Sequence, residues 1–170
     1  MENESKKAKF KDWTIREIEE KDNKELEQVI RTILIEFKCN IDGTIWVDPN
    51  LGKLSTVYNK EKTKYWIVED KEGKILGGCG IGELEGEKEV CELQKMYLLS
   101  EVRGTGLAKA LLDVAINFAK QYYNKCYLET MDQLMRAQKF YEKNGFKRFY
   151  GSLGNTGHFS CPIKFIMDIK

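Results

Sequence analysis

The chain has 170 residues, of which 42% are hydrophobic and 32% charged, and its 28 Lys plus Arg against 27 Asp plus Glu leave a net charge of +1. That apolar content excludes general disorder, the balanced charge argues against a nucleic-acid-binding surface, and no apolar run approaches the ~18 residues of a membrane span. The amino-terminal stretch lacks the apolar core of a signal peptide, and the five cysteines are scattered without a CxxC pair, so neither a disulfide framework nor a structural zinc site is expected. These features describe a soluble, reduced, cytoplasmic protein.

Residues 1–11 are mostly charged and are expected to form a mobile leader, with residues 12–170 as a single domain. Trp13–Ile18 reads as a first strand. Leu26, Val29, Ile30, Ile33, Leu34 and Phe37 then fall on one helical stripe, with Asp22 or Asn23 placed to cap it. Asp48-Pro49 reads as an N-cap followed by proline at the first helical position, opening a shorter helix toward Tyr58. Tyr65–Val68, Ile75–Leu84 and Val90–Leu99 are strand-like and are joined by charged turns at Lys71–Lys74 and Glu85–Lys88. After Gly104 the helical period returns with Leu107, Ala110, Leu111, Val114, Ala115 and Phe118 on one face. Each large side chain there contributes ~1.5–3 kcal/mol when buried, enough to pin this helix to the sheet. Cys126–Thr130 is a strand, Leu134–Lys143 a helix stopped by Asn144-Gly145, and Phe146–Tyr150 a strand. A loop, Gly151–Pro162, precedes a last strand at Ile163–Ile169. The order β-α-α-β-β-β-α-β-α-β-β describes a mixed α/β (α+β) sheet with helices packed on it.

The segment Arg103-Gly104-Thr105-Gly106-Leu107-Ala108 lies between a strand and an amphipathic helix, where unobstructed backbone N–H groups form an anion site. A Walker loop is ruled out, because Gly52-Lys53 and Gly73-Lys74 are followed by Leu54 and Ile75. A Rossmann fingerprint is ruled out by Lys109 at the third glycine position, and Gly78-Cys79-Gly80-Ile81-Gly82 has the wrong spacing with no helix after it. Arg103-x-x-Gly106-x-Ala108 does fit the (Gln/Arg)-x-x-Gly-x-(Gly/Ala) pyrophosphate loop of the GCN5-related N-acetyltransferases (GNAT family). Two other stretches resemble that family. Glu92–Leu98 forms the strand before the loop, and Ala137-x-x-Phe140-Tyr141-Glu142-Lys143-x-Gly145-Phe146 matches its A-x-x-(aromatic or aliphatic)-Y-E-K-x-G-F signature.

The resemblance covers roughly residues 12–169 and implies the GNAT-type acyl-CoA N-acyltransferase fold, with direct acetyl transfer from acetyl-CoA to a primary amine and no metal. It implies that the pyrophosphate sits on the backbone of Arg103, Gly104, Thr105, Gly106, Leu107 and Ala108. The pantetheine would pair with the backbone of Met96, Tyr97 and Leu98, and a backbone N–H near Leu98 would hold the oxyanion. Many relatives carry Asn three residues before the alanine corresponding to Ala137; this chain has Leu134 there.

A lysine-like amine of pKa ~10.4 lies ~3.4 units from neutral pH, so freeing it takes ~4–5 kcal/mol and a general base assists. The resemblance implies Glu92 as that base, since it lies six residues before Leu98, the offset at which the family's histone acetyltransferases carry a glutamate base, and a carboxylate on a central strand is expensive to bury without a purpose; the alternative is a pairing with Lys95 or with a neighbouring strand. In the family this tyrosine, Tyr141 here, protonates the departing thiolate; the alternative is a packing aromatic. His158, the only histidine, and Trp46 with Glu36 are expected to line the acceptor pocket, whereas Cys161 is not expected to carry the acyl group. A pocket using Glu92 and Glu36 would take a small cationic amine, or a peptide amine at a lysine or amino terminus, on a monomer or homodimer. Two rival readings are a non-catalytic acyl-CoA-binding sensor and a scaffold that binds protein through Gly151–Pro162.

Overall fold

The computed structural model describes residues 12–170, so the leader expected over 1–11 lies outside the described residues. The strands are β1 (Thr14–Glu17), β2 (Lys64–Glu69), β3 (Ile75–Leu84), β4 (Glu87–Leu98), β5 (Lys125–Thr130), β6 (Lys147–Arg148) and β7 (Ile163–Asp168). The helices are α1 (Asn23–Glu36), the one-turn α2 (Leu54–Val57), α3 (Leu107–Ala119) and α4 (Met135–Lys143). The strands form one seven-stranded sheet in the order β1-β2-β3-β4-β5-β7-β6. Every neighbouring pair is antiparallel except the parallel pair β4–β5. This is the mixed α/β sheet the patterning implies.

Helices cover both faces, which explains why β2 reads as a continuous apolar run rather than an alternation. Trp66 and Val68 pack on one face with α3, and Tyr65 and Ile67 pack on the other with α1. The buried residues of α3 are Leu107, Leu111, Leu112, Ala115, Ile116 and Ala119. The expected stripe is thus rotated toward Leu112 and Ile116, leaving Ala110, Val114 and Phe118 half-buried.

The glycines of β3 are a packing device. Gly78, Gly80 and Gly82 share one face, where an added Cβ would lie 2.6 Å from Tyr65 at Gly78, 2.7 Å from Tyr65 at Gly80 and 2.4 Å from Gln94 at Gly82. The stripe therefore seats two tyrosine rings and one glutamine amide against the backbone. The rings, Tyr58 and Tyr65, lie 5.2 Å apart.

Three local expectations are corrected. Asp22 does not cap α1 through its side chain; its carboxylate receives Arg16 at 2.8 and 2.9 Å and the Glu19 N–H at 2.8 Å. Asn23 instead bonds Ser55 through its amide, tying α1 to α2. Asp48-Pro49 does not start a helix. Asp48 accepts the Asn50 N–H at 2.8 Å in an Asx turn, and regular helix begins only at Leu54. The strand expected over Phe146–Tyr150 is reduced to Lys147–Arg148, because the Phe146 N–H is drawn to the Tyr141 carbonyl at the end of α4.

Arg16 forks between Asp22 and Glu69, fastening β1 to β2 and to the start of α1. Burial alone would raise the Asp22 carboxyl, but hydrogen bonds from Arg16 and the Glu19 N–H, with the Arg16 charge, outweigh it and hold the carboxyl below its ordinary value. A carboxyl depressed in the folded state stabilises above its unfolded pKa of ~3.9 and loses that contribution as pH falls through the folded value. Asp22→Asn is expected to destabilise by about 2–3 kcal/mol at pH 7, below the ~3–5 of a fully buried pair because Arg16 keeps Glu69. Urea unfolding should show this gap narrowing at pH 3 and below; a gap independent of pH would remove the ion pair as its cause.

Candidate active site

The site begins where two strands part. β4 and β5 pair only at Val90–Lys125, Cys91–Cys126 and Glu92–Tyr127, after which β5 follows β7 alone. Beyond Gln94 the register of β4 on β3 slips, and Lys95 takes a φ of 50°, an uncommon conformation for a residue with a side chain. This bulge bends the end of β4 away from β5. The gap opens into a cavity of ≈ 670 Å³ lined from both faces of the sheet, by Ile33 and Leu34 of α1 and by Ala108, Phe140 and Tyr141 of α3 and α4.

The edge of β4 facing this gap carries free backbone groups. The Leu99 N–H points to β3, where it bonds Leu76 O at 2.9 Å, so by strand alternation Leu98 turns its N–H and C=O to the gap; Arg103 Nε takes the C=O, and the N–H has no partner among the described residues. At the mouth, Gly104 (φ 72°) and Gly106 (φ 89°) hold the loop in a left-handed path, and an added Cβ on either meets nothing within 4 Å. Gly106 is also the N-cap of α3 and offers no side chain to its first-turn N–H groups, which remain available to an anion.

The remaining loop residues divide by role. Thr105 turns its hydroxyl back onto Val102 O at 2.6 Å, and Leu107 is buried in the core, so both shape the loop from behind. The Arg103 N–H is taken by Ser100 O, which leaves it out of the set of free donors. The Arg103 guanidinium forks onto Glu36 at 2.6 and 2.8 Å, its Nε reaches Leu98 O at 2.9 Å, and it stacks 4.9 Å from the Phe37 ring. Met96, Tyr97, Leu98, Arg103, Gly104 and Ala108 line the cavity; Thr105, Gly106 and Leu107 do not.

Tyr141 closes the far wall, packed against Phe140, Phe146 and Phe165 at 5.6, 5.7 and 6.1 Å. Its hydroxyl has no hydrogen-bond partner among the described residues, and since fully buried side-chain polar atoms there all have partners, this one opens into the cavity. Burial pushes its pKa well up, so the phenol stays protonated.

Glu92 lies on the opposite, α1-facing side of the gap, 5% exposed. Its Oε2 accepts the Gln94 amide at 2.7 Å, and Gln94 Oε1 in turn accepts the Tyr58 hydroxyl at 2.6 Å. The β3 glycine stripe makes room for this chain of bonds. Burial above all, with the Glu129 charge adding to it, pushes the Glu92 carboxyl up to about 7 against the opposing pull of Gln94 and Lys95. Lys95 does not pair with Glu92; its Nζ lies 3.2 Å from Asp48.

His158 reaches the cavity on the β6–β7 loop, half-buried, and burial with the Lys95 charge holds its pKa below the ordinary value. Cys161 lies beside it, and burial pushes its thiol up to about 12, well away from a reactive thiolate. Glu36 lines the cavity, but its carboxylate is committed to Arg103, which also lowers its pKa. Trp46 lies outside the lining: its ring stacks on Arg31 at 4.8 Å and its carbonyl accepts Arg31, so Thr44 and Ile45 form that wall instead. Glu129, a carboxylate on β5, is a cavity residue that the sequence patterning did not single out. The burial cost that marked Glu92 on its central strand applies to it equally.

A family model described as an acetyltransferase (GNAT) domain matches residues 61–148. The Escherichia coli K12 protein named uncharacterized N-acetyltransferase YjgM is 41% identical over 151 residues, 87% of this chain and 90% of that one. N-acetylaspartate synthetase of Xenopus tropicalis is 34% identical over 99 residues, 58% of this chain but only 36% of the relative. The crystal structure of a GNAT-family acetyltransferase from Staphylococcus aureus Mu50 superposes with a TM-score of 0.79 at 25% identity, covering 93% of this chain and 99% of the other. With its split sheet, its uncapped glycine loop and these relatives, the chain belongs to the GNAT family and is an acetyl-CoA-dependent N-acetyltransferase.

Proposed function

We propose that this enzyme transfers the acetyl group directly to the primary amine of a small molecule, with Glu92 as general base and Tyr141 as general acid. The observation that carries the reading is the placement of these two groups across one gap. A buried carboxyl near neutrality lies on the α1 side and an unpartnered phenol on the α4 side.

In this reading the α3 loop and the free edge of Leu98 hold the cofactor. The amine approaches from the side walled by Thr44, Ile45, His158 and Cys161. Glu92 takes the amine proton, the nitrogen attacks the thioester carbonyl, and a backbone N–H of β4 near Leu98 steadies the oxyanion. Tyr141 then gives its proton to the departing thiolate, while the nitrogen sheds its excess proton to solvent as the amide forms, and the phenol is reprotonated from there. Among the described residues the cavity lining carries three carboxylates, Glu36, Glu92 and Glu129, the first of them taken by Arg103, and so small an acidic set supports a small amine over a protein surface. So does the relative named for the small product N-acetylaspartate.

A carboxyl with pKa about 7 works as a base only in its ionised form, so kcat/KM should rise with pH through that value. Glu92→Gln is expected to lower kcat/KM most near pH 6–7 and progressively less toward the amine pKa of ~10.4, where free amine exists unaided. A profile parallel to wild type over that range rules Glu92 out as the base.

Tyr141→Phe keeps the ring packing and removes only the hydroxyl. Single-turnover acetyl transfer should slow by ~10²-fold, the low end for a positioned acid, because a thiol of pKa ~8.5 leaves tolerably alone. Acetyl-CoA affinity by calorimetry should be unchanged. A single-turnover rate within about threefold of wild type, on the order of 0.7 kcal/mol, leaves water as the proton source.

A further inference from the structure

We infer that Glu129 binds the ammonium group of the acceptor and holds it against Glu92, so that the amine enters charged and loses its proton in place. The inference rests on the assignment of Glu92 as base and adds the residue that delivers substrate to it.

Glu129 stands on β5, two residues past Tyr127, the last residue paired to β4, and shares Glu92's face of the sheet by alternation. A carboxylate oxygen of Glu92, one of Glu129 and a ring nitrogen of His158 all lie within 4.8 Å of one another. A primary ammonium has three N–H donors and needs acceptors at ~2.7–2.9 Å, so a point among three atoms spaced this way satisfies all of them. The His158 ring makes no hydrogen bond among the described residues, and its lowered pKa leaves it neutral near pH 7, with a lone pair to offer.

Glu129 is also held in place by hydroxyl donors. Its Oε2 accepts the Tyr127 hydroxyl at 2.8 Å and its Oε1 accepts the Thr156 hydroxyl. Both partners are donors, and neither carries charge. No cation among the described residues pairs with it: Lys95, the lysine in the cavity wall, is given to Asp48, and Arg103 to Glu36. A half-buried carboxylate without a counter-charge is costly to maintain, and a bound cation relieves that cost. The other ionisable groups facing Glu92 are Tyr58 beyond α2, Tyr127 on β5 and Cys161 on the loop. All three are neutral near pH 7, since burial raises their pKa values. The transfer balances: one N–H bond of R–NH₃⁺ breaks, an O–H bond forms on Glu92, and the freed nitrogen lone pair faces the gap.

The test uses the full chain with acetyl-CoA and a panel of primary amines: butylamine, an amino acid amide, a linear diamine and a lysyl peptide. For the best substrate of wild type, Glu129→Gln should raise the amine KM about tenfold or more while leaving acetyl-CoA affinity unchanged by calorimetry. It should also move the acidic limb of kcat/KM down by about one pH unit, because one charge ~5 Å from Glu92 is lost. Thr156→Val removes an anchor of Glu129 but not its charge, so its acidic limb should stay in place. An amine KM within twofold of wild type, or a raised KM with an unmoved acidic limb, overturns the role of Glu129 alone. No turnover of any amine by wild type overturns the small-amine reading and this inference together.

Discussion

A parallel strand pair that stops after three residues is the constraint on which the rest depends. β4 and β5 are joined from Val90 to Glu92 and then part, because the bulge at Lys95 turns β4 away while β5 remains bonded to β7. A continuous pairing would satisfy Leu98 internally and seal the sheet. The separation leaves unpaired backbone on an interior edge, normally a liability, and aims it at a cavity where an extended amide-bearing ligand can complete the ladder. The same gap lets side chains from both faces meet: Tyr141 from the α4 side and Glu92 from the α1 side. Both layers of helices are needed to wall it.

The chemistry of the gap follows from how its charges are housed. Of the three Lys and Arg side chains lining the cavity, Arg103 is held by Glu36 and Lys95 by Asp48, so neither neutralises the carboxylates on the α1 side; the third, Arg136, stands on α4. Glu92 is held by a neutral amide rather than a cation, which keeps its proton affinity high. That amide is positioned in turn by Tyr58, and both rest against the glycine stripe of β3. Packing on β3, the neighbour of β4, thereby seats the amide that holds the Glu92 carboxyl.

Much of this was legible in the residues. The helical period of α1 and α3, the hairpin turns and the glycine loop follow from local rules, and Glu92 stood out because a carboxylate on a central strand requires a purpose. What the sequence hid was long-range. Nothing local says that Glu36 is claimed by Arg103 67 residues away, or that Trp46 turns to Arg31 rather than inward. Asp48 and Lys95 meet only because a bulge turns one toward the other. The β3 glycines were dismissed as a phosphate loop on spacing, correctly, but their use as a seat for Tyr58, Tyr65 and Gln94 depends on the facing strands. Glu129 was visible to the same argument as Glu92, and its significance depends on Tyr127, Thr156 and His158 converging around it.

The central claim is that the free edge of β4 is the cofactor's docking strand. Residue-resolved amide hydrogen exchange of the Leu98 N–H, measured with and without saturating CoA, tests it most directly. The account predicts that Leu98 exchanges readily in the free enzyme and is strongly slowed by CoA, while Leu99, already bonded to Leu76, changes little. Unaltered Leu98 exchange in a chain shown by calorimetry to hold CoA would contradict it.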